Sequence, residues 1–131
     1  MPILDKRAAI AAFAVTVAAG TMVLGPPASA QSSPPSGEQL FRQRCQACHS
    51  VVAGRPAGVG PNLAGVVGRK AASTRFAYSA ALKGANLTWT RTNLDRYLAA
   101  PARTVPGTKM AMAVTDQAQR AAVIQYLSRA R

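Results

Sequence analysis

The chain has 131 residues, of which 49% are hydrophobic and 15% are charged, so these residues allow one domain with its own core and little to spare. Sixteen lysines and arginines against four acidic residues give a formal net charge of +12. This balance indicates acidic partners, but it does not distinguish proteins from nucleic acid or membrane surfaces.

The first thirty residues have the pattern of a secretory signal. Lys6 and Arg7 form a positive start, residues 8–24 are uncharged and mostly apolar, and small residues follow at Ala28 and Ala30. The alternative is a retained membrane anchor, but the apolar stretch is shorter than the roughly 20 residues that a span requires. The sequence therefore predicts an exported protein that is cleaved after Ala30.

The organisation that follows from this cleavage is simple. Residues 1–30 are the predicted signal peptide. Residues 31–36, rich in serine and proline, are predicted to be a disordered leader. Residues 37–131 are predicted to form the single domain.

Two helices are expected in the first half of this domain. Residues 38–45 have Leu40 and Phe41 on one face and an acidic residue in the first turn. Residues 77–83 form a second, short candidate that ends at Gly84. We find no strand pattern, so the predicted fold class is all-α.

Two further helices are expected in the second half. Thr90 is the expected N-cap of a helix over residues 91–100, which Pro101 stops. Thr115 is the expected cap of the last helix, with Asp116 in its first turn. The predicted buried face of this last helix comprises Ala118, Ala122, Val123, Tyr126 and Leu127.

Long loops separate these helices. Residues 50–70 are rich in glycine, proline and valine, and residues 101–114 form a second extended segment with a Pro106-Gly107 turn. Loops of this length need something to wrap around. The chain has only seven aromatic residues, so a large flat group at the centre would help to fill the core.

The two cysteines and the one histidine of the chain all fall within five positions, Cys45, Cys48 and His49. Cys-x-x-Cys-His is the attachment pattern of c-type haem. On a helical turn the three residues share one face, so both sulfurs can bond the vinyl groups at one porphyrin edge and the imidazole can reach the iron. One covalently attached haem c is the predicted cofactor.

Other interpretations of the motif explain less. A zinc site needs four ligands and the chain offers three cysteine and histidine side chains. A disulfide of the thioredoxin type would need a βαβ context, and it leaves the histidine unexplained. In an oxidising compartment the free thiols would otherwise be expected to pair or be capped, and haem attachment removes both.

The second axial ligand of the iron is expected to be a methionine, because no second histidine exists and a thioether binds haem iron well. Met1 and Met22 leave with the predicted signal, so Met110 and Met112 are the candidates. Both follow a turn in a loop rather than lying on a helix face. Loop position alone does not choose between them.

Several motifs together resemble the class I cytochromes c, the small monohaem carriers. They span about residues 37–127 and comprise "CQACH", "GPNLAGVVGRK", "FAYSAALK", "LTW", "YLAAP", "VPGTKM" and "VIQYL". The resemblance implies an all-α cytochrome c fold of three to four helices and long loops around one haem. It also implies that the first and last helices cross near Gly37, Phe41, Val123 and Tyr126.

The resemblance assigns roles to particular residues. "PGTKM" implies Met110 as the axial ligand opposite His49, and Pro61 as the carbonyl that accepts a hydrogen bond from that histidine. Tyr97 is implied to lie near the methionine sulfur. The residues implied around the haem propionates are Arg69, Tyr78, Trp89 and Thr108. Leu82 departs from the family pattern, since many relatives have an asparagine there.

The function implied is one-electron transfer without catalysis of a bond change, by a monomer that shuttles electrons between respiratory or photosynthetic membrane complexes in the periplasm. Docking is expected to be partly electrostatic, through Arg44, Arg103 and Lys109. The alternative is a dedicated subunit or acceptor of a periplasmic dehydrogenase, such as a sulfite or alcohol dehydrogenase. A peroxidase is disfavoured by the candidate sixth ligand, and a nucleic-acid binder by the export signal. No small-molecule substrate is expected.

Overall fold

The computed structural model of the chain describes residues 33–131, so the predicted signal peptide at 1–30 lies outside the described residues. The described part is helical. Its one β-type contact is an isolated antiparallel bridge between Lys70 and Thr88, and residues 33–131 contain no β-strand. The predicted all-α class is confirmed. The helices are α1 (Gly37–Arg44), α2 (Ala80–Gly84), α3 (Arg91–Ala99), α4 (Pro101–Thr104) and α5 (Gln117–Leu127).

Helix α1 begins with a capping box. The Ser36 hydroxyl accepts the Gln39 amide N–H at 3.2 Å, and the Gln39 side-chain oxygen accepts the Ser36 amide N–H at 2.9 Å. The helix ends where the Cys45 amide donates to the Phe41 carbonyl at 2.8 Å. The chain then turns through residues 45–48, so α1 leads directly into the cysteine motif.

Helix α5 is capped by Asp116, not by Thr115 as the sequence suggested. The Asp116 carboxylate accepts the Gln119 amide N–H at 2.7 Å, and Asp116 itself has extended backbone angles. The predicted buried face of α5 is also wrong at Ala118, which is exposed. The buried set of α5 also includes Arg120 and Ile124, which the predicted face lacked.

The short helices differ from the predicted ones. Helix α2 begins at Ala80, because the Ser79 hydroxyl accepts the Leu82 amide N–H and leaves residues 77–79 outside the helix. Helix α4 was not predicted. Pro101 ends α3 as expected, but it also occupies the first turn of α4, where its missing N–H is harmless.

Helix α5 packs against both α1 and α3. At the crossing with α1, a Cβ added to Gly37 would overlap the Ala122 carbonyl, so only glycine allows the two backbones to approach this closely. The rings of Phe41 and Tyr126 meet beside this contact with centroids 5.5 Å apart. The crossing lies at the residues that the family resemblance implied. Among residues 33–131, no helix has the length and apolar character needed to cross a bilayer.

Candidate haem site

The cysteine motif forms a tight turn directly after α1. The amide N–H groups of Cys48 and His49 both donate to the Cys45 carbonyl, at 3.0 and 2.9 Å. Cys45 is buried, Cys48 is exposed, and neither thiol forms a disulfide. Burial raises the pKa of the Cys45 thiol, an effect that the neighbouring Arg44 charge partly opposes. One turn of backbone therefore carries two free thiols and an imidazole.

The imidazole of His49 is held by a backbone carbonyl. Its Nδ1 lies 2.8 Å from the Pro61 oxygen. A carbonyl oxygen can only accept, so this contact assigns the ring proton to Nδ1. Nε2 then carries the free lone pair, which is the form of histidine that binds a metal ion.

Gly60 packs directly against the His49 ring. A Cβ at this position would lie 2.7 Å from Nδ1 and 2.9 Å from Nε2, closer than carbon atoms approach in proteins. The Gly60 amide also donates to the Cys48 carbonyl at 2.9 Å. The sequence analysis assigned no role to Gly60. The glycine directly before Pro61 was the one sequence feature that could have indicated a close approach of backbone to the histidine ring.

The loop that carries Pro61 is braced by Asn62 and Arg69. The Asn62 amide donates to the Val52 and Arg55 carbonyls at 2.7 and 2.8 Å, and its oxygen accepts the Ala64 amide N–H at 2.8 Å. The Arg69 guanidinium donates to the Asn62 and Ala64 carbonyls at 2.9 and 2.8 Å. Asn62 was not singled out from the sequence, because its role depends on contacts with a distant part of the loop.

The two candidate methionines occupy different environments. Met110 is partly buried and packs against the hydrophobic core, whereas Met112 is 36% exposed. The Met110 amide makes a long hydrogen bond of 3.4 Å to the Thr108 hydroxyl. The structure therefore turns Met110, and not Met112, toward the interior.

Tyr97 is buried and contacts the segment that leads to Met110. Its hydroxyl hydrogen-bonds the Thr108 hydroxyl at 2.5 Å, and its ring packs on Trp89 with centroids 4.9 Å apart. Burial raises the pKa of Tyr97 above the ordinary value of 10.0, and the hydrogen bond to Thr108 partly offsets that rise. Tyr97, Thr108 and Trp89 thus form one contiguous group.

Tyr78 belongs to a separate group. Its hydroxyl pairs with the Thr74 hydroxyl and its ring meets the Phe76 ring edge-on, with centroids 5.0 Å apart. Trp89 connects to Arg69 through the backbone, since its amide donates to the Arg69 carbonyl at 2.9 Å. Each predicted propionate residue therefore already has protein contacts in this structure.

The residues around the motif fit a covalently attached haem. Two unpaired thiols lie on one turn with a histidine whose Nδ1 is occupied and whose Nε2 is available. The absence of a side chain at Gly60 leaves room for that ring. These features define a c-type haem protein.

Comparison with known proteins agrees with this class. The family described as "Cytochrome c" matches residues 35–131, so the chain belongs to the cytochrome c family. Cytochrome c2 of Rhodomicrobium vannielii is 40% identical over 119 residues, which cover 89% of this chain and 94% of that protein. Cytochrome c of Theileria annulata is 41% identical over 101 residues, covering 76% and 88%.

A solved structure agrees as well. Cytochrome cH from Methylobacterium extorquens has a TM-score of 0.66 and 42% identity, covering 71% of this chain and 94% of its own. The class I resemblance, the cytochrome c fold and the haem c cofactor are thereby confirmed, and Cys45 and Cys48 are consistent with its covalent attachment. The protein is a monohaem electron carrier and not an enzyme.

Proposed function

We propose that this protein is an exported one-electron carrier of the periplasm whose haem iron is held by His49 and Met110. The observation that carries the proposed ligation is the contrast between the two methionines. Met110 packs against the core while Met112 is 36% exposed. When bound, the haem supplies one-electron exchange between Fe(III) and Fe(II).

On the histidine side, the protein fixes the ligand before any electron moves. The Nδ1–H bond to Pro61 holds the ring orientation and leaves Nε2 as the atom that would bind the iron, as such contacts do for metal-bound histidines. Gly60 permits the loop to lie flat against the ring. A preset histidine needs little rearrangement between the two oxidation states.

On the methionine side, Tyr97 and Thr108 hold the backbone next to Met110. A His/Met ligand pair raises the reduction potential relative to ligands that favour the ferric state. The two hydroxyls share one hydrogen bond, so one of their two protons is left for another acceptor. We assign Tyr97 to the environment of the methionine sulfur.

The propionate side is assigned to Arg69, Tyr78, Trp89 and Thr108. Arg69 uses two of its five N–H donors on the Asn62 and Ala64 carbonyls, so three are free for a carboxylate. The Thr74–Tyr78 hydroxyl pair likewise retains one proton to donate. These unused donors support hydrogen bonding to carboxylates at this side of the haem.

The charge distribution supports electrostatic docking. Each acidic residue between 33 and 131 is already engaged: Glu38 pairs with Arg42, Asp95 pairs with Arg120, and Asp116 caps α5. Most basic side chains therefore contribute an uncompensated positive field that attracts acidic partners. Exposed members near the haem motif and the methionine loop are Arg44, Arg103 and Lys109.

The proposed partners are membrane redox complexes, which a free monomeric carrier would meet in turn. We propose residues 1–30 as the cleaved signal, 31–36 as the leader and 37–131 as the haem domain. The match of the cytochrome c family to residues 35–131 supports the proposed haem domain.

The experiment is electron exchange between the mature holoprotein and isolated membranes at increasing salt. We expect the rate to fall, because screening shortens the field to about 8 Å near physiological ionic strength. The triple variant Arg44→Gln, Arg103→Gln, Lys109→Gln should slow exchange more than a matched triple at Arg55, Arg75 and Lys83. Exchange rates that do not change with salt concentration would contradict electrostatic docking. Stable co-purification with one dehydrogenase would favour a dedicated subunit over a shuttle.

A further inference from the structure

Arg120 is a charged side chain buried in the core of the domain. It is 8% exposed, whereas the other lysines and arginines between residues 33 and 131 are exposed or half-buried. Its Nε donates to the Asp95 carboxylate on α3 at 2.7 Å. One terminal nitrogen also donates to the Val114 and Thr115 carbonyls, at 3.1 and 2.8 Å. Burial of such a charge is costly unless its hydrogen bonds are satisfied, so this arrangement is a specific one.

The two carbonyls belong to the chain segment that leaves Met110. Val114 is fully buried, and its amide N–H donates to the Leu98 carbonyl of α3 at 2.8 Å. Within residues 33–131, no backbone hydrogen bond holds residues 111–113. After Met110, the first fixed point of the chain is therefore Val114, held by α3 on one side and by Arg120 on the other.

We propose that Arg120 is a positioning residue that fastens the far end of the Met110 loop and so keeps Met110 turned inward. This inference rests on the proposed role of Met110 as an iron ligand. The hydrogen bonds of the Arg120 side chain go to Asp95, Val114 and Thr115, and none goes to Met110. It acts through Val114 and Thr115, by limiting how far residues 111–113 can swing.

The guanidinium is suited to this task because its planar fork donates in several fixed directions at once. Lysine would keep the charge opposite Asp95 but could not reproduce bonds to the carboxylate and both carbonyls together. Asp95 is less important in this scheme, since its side chain is 41% exposed and water can replace part of its contact. The carbonyl contacts are thus expected to matter more than the ion pair.

The test is imidazole binding to the ferric holoprotein, because imidazole reaches the iron only when Met110 has moved away. If binding requires an open form, the apparent Kd equals the intrinsic Kd divided by the open fraction. We expect Arg120→Gln to bind imidazole about tenfold more tightly, equivalent to about 1.4 kcal/mol. Arg120→Lys should show a smaller gain in imidazole affinity than Arg120→Gln. Asp95→Asn should change the apparent Kd by less than about threefold.

The matched control is Ile124→Val, which removes one methyl group from a buried residue of the same helix without touching the Arg120 contacts. It should lower the midpoint of denaturant unfolding and leave imidazole affinity unchanged. If Arg120→Gln likewise changes only the unfolding midpoint, Arg120 is a general stability residue and the inference is overturned. If the wild-type ferric protein shows no methionine-to-iron charge-transfer band, the proposed ligation fails first and this inference falls with it.

Discussion

The two sides of the haem site are built differently. On the histidine side, His49 is fixed by its hydrogen bond to Pro61, by Gly60 against its ring, and by the motif turn, whose bonds are 2.8 to 3.0 Å long. On the methionine side, the Met110 amide has one long bond of 3.4 Å. Fixed points there lie at Thr108 before the methionine and at Val114 after it.

With the proposed ligation, this difference would combine a rigid ligand, His49, with a displaceable one, Met110. Local hydrogen bonds and packing determine which segments open at low free energy. The histidine segment is densely hydrogen-bonded and tightly packed, so it should open only with the whole domain. The methionine segment depends on two distant attachments and should open first.

The largest expected effect comes from breaking the histidine side at its covalent anchor. The double variant Cys45→Ala, Cys48→Ala should lose all haem staining after denaturing electrophoresis. It should also be largely unfolded by circular dichroism, because the loops have little else to pack on. A double variant that keeps full staining would show that these thiols do not attach the haem.

Gly60→Ala tests the packing on the histidine ring. The new methyl group would overlap the imidazole, and Gly60 is buried against it, so we expect a loss of about 1–3 kcal/mol in unfolding free energy. Gly84→Ala is the matched control, because a Cβ there meets no atom within 4 Å. Guanidinium unfolding of the two holoproteins measures the difference. Equal midpoints would mean that the ring is not tightly enclosed.

Tyr97→Phe tests the first attachment of the methionine side, with an expected loss of about 1 kcal/mol at pH 7 from the bond to Thr108. Because burial raises the folded-state pKa of Tyr97, its contribution is fully present below the unfolded value of 10.0 and is lost as pH rises through the folded value. The stability difference between wild type and variant should therefore shrink above pH 10.0.

Urea midpoints at pH 7 and pH 11 measure this change, with Tyr126→Phe as a control on a tyrosine that is only partly buried. A difference between wild type and Tyr97→Phe that stays constant over this range would contradict the burial of the Tyr97 hydroxyl.

Much of the fold was predictable because local signals determine it. The spacing of Cys-x-x-Cys-His is enough to predict a covalently attached haem. Thr90 caps the start of α3, and Pro101 follows its end, as the sequence predicted. Residue-level features of the site were less accessible. The role of Gly60 depends on a ring eleven positions earlier, and that of Arg120 on a carboxylate and two carbonyls from two other segments.

The errors have the same origin. Thr115 and Asp116 are both good caps, and the sequence alone did not show that it is the Asp116 carboxylate that accepts the Gln119 amide N–H. Helix α4 is a single turn that begins at Pro101. The sequence pattern of such a short helix is weak, and the nearby Pro106-Gly107 turn led us to expect a loop there instead. Family resemblance supplied the choice of Met110 over Met112, which composition and spacing left open.

The central claim is that Met110 is the sixth ligand of the haem iron, and the most direct measurement is the charge-transfer band near the red end of the visible spectrum of the ferric protein. Met110→Ala should abolish the band and lower the reduction potential, since the thioether favours Fe(II). Met112→Ala should keep the band and cost about 1–3 kcal/mol of stability at most, because the side chain is 36% exposed. Loss of the band in Met112→Ala with its retention in Met110→Ala would contradict the account.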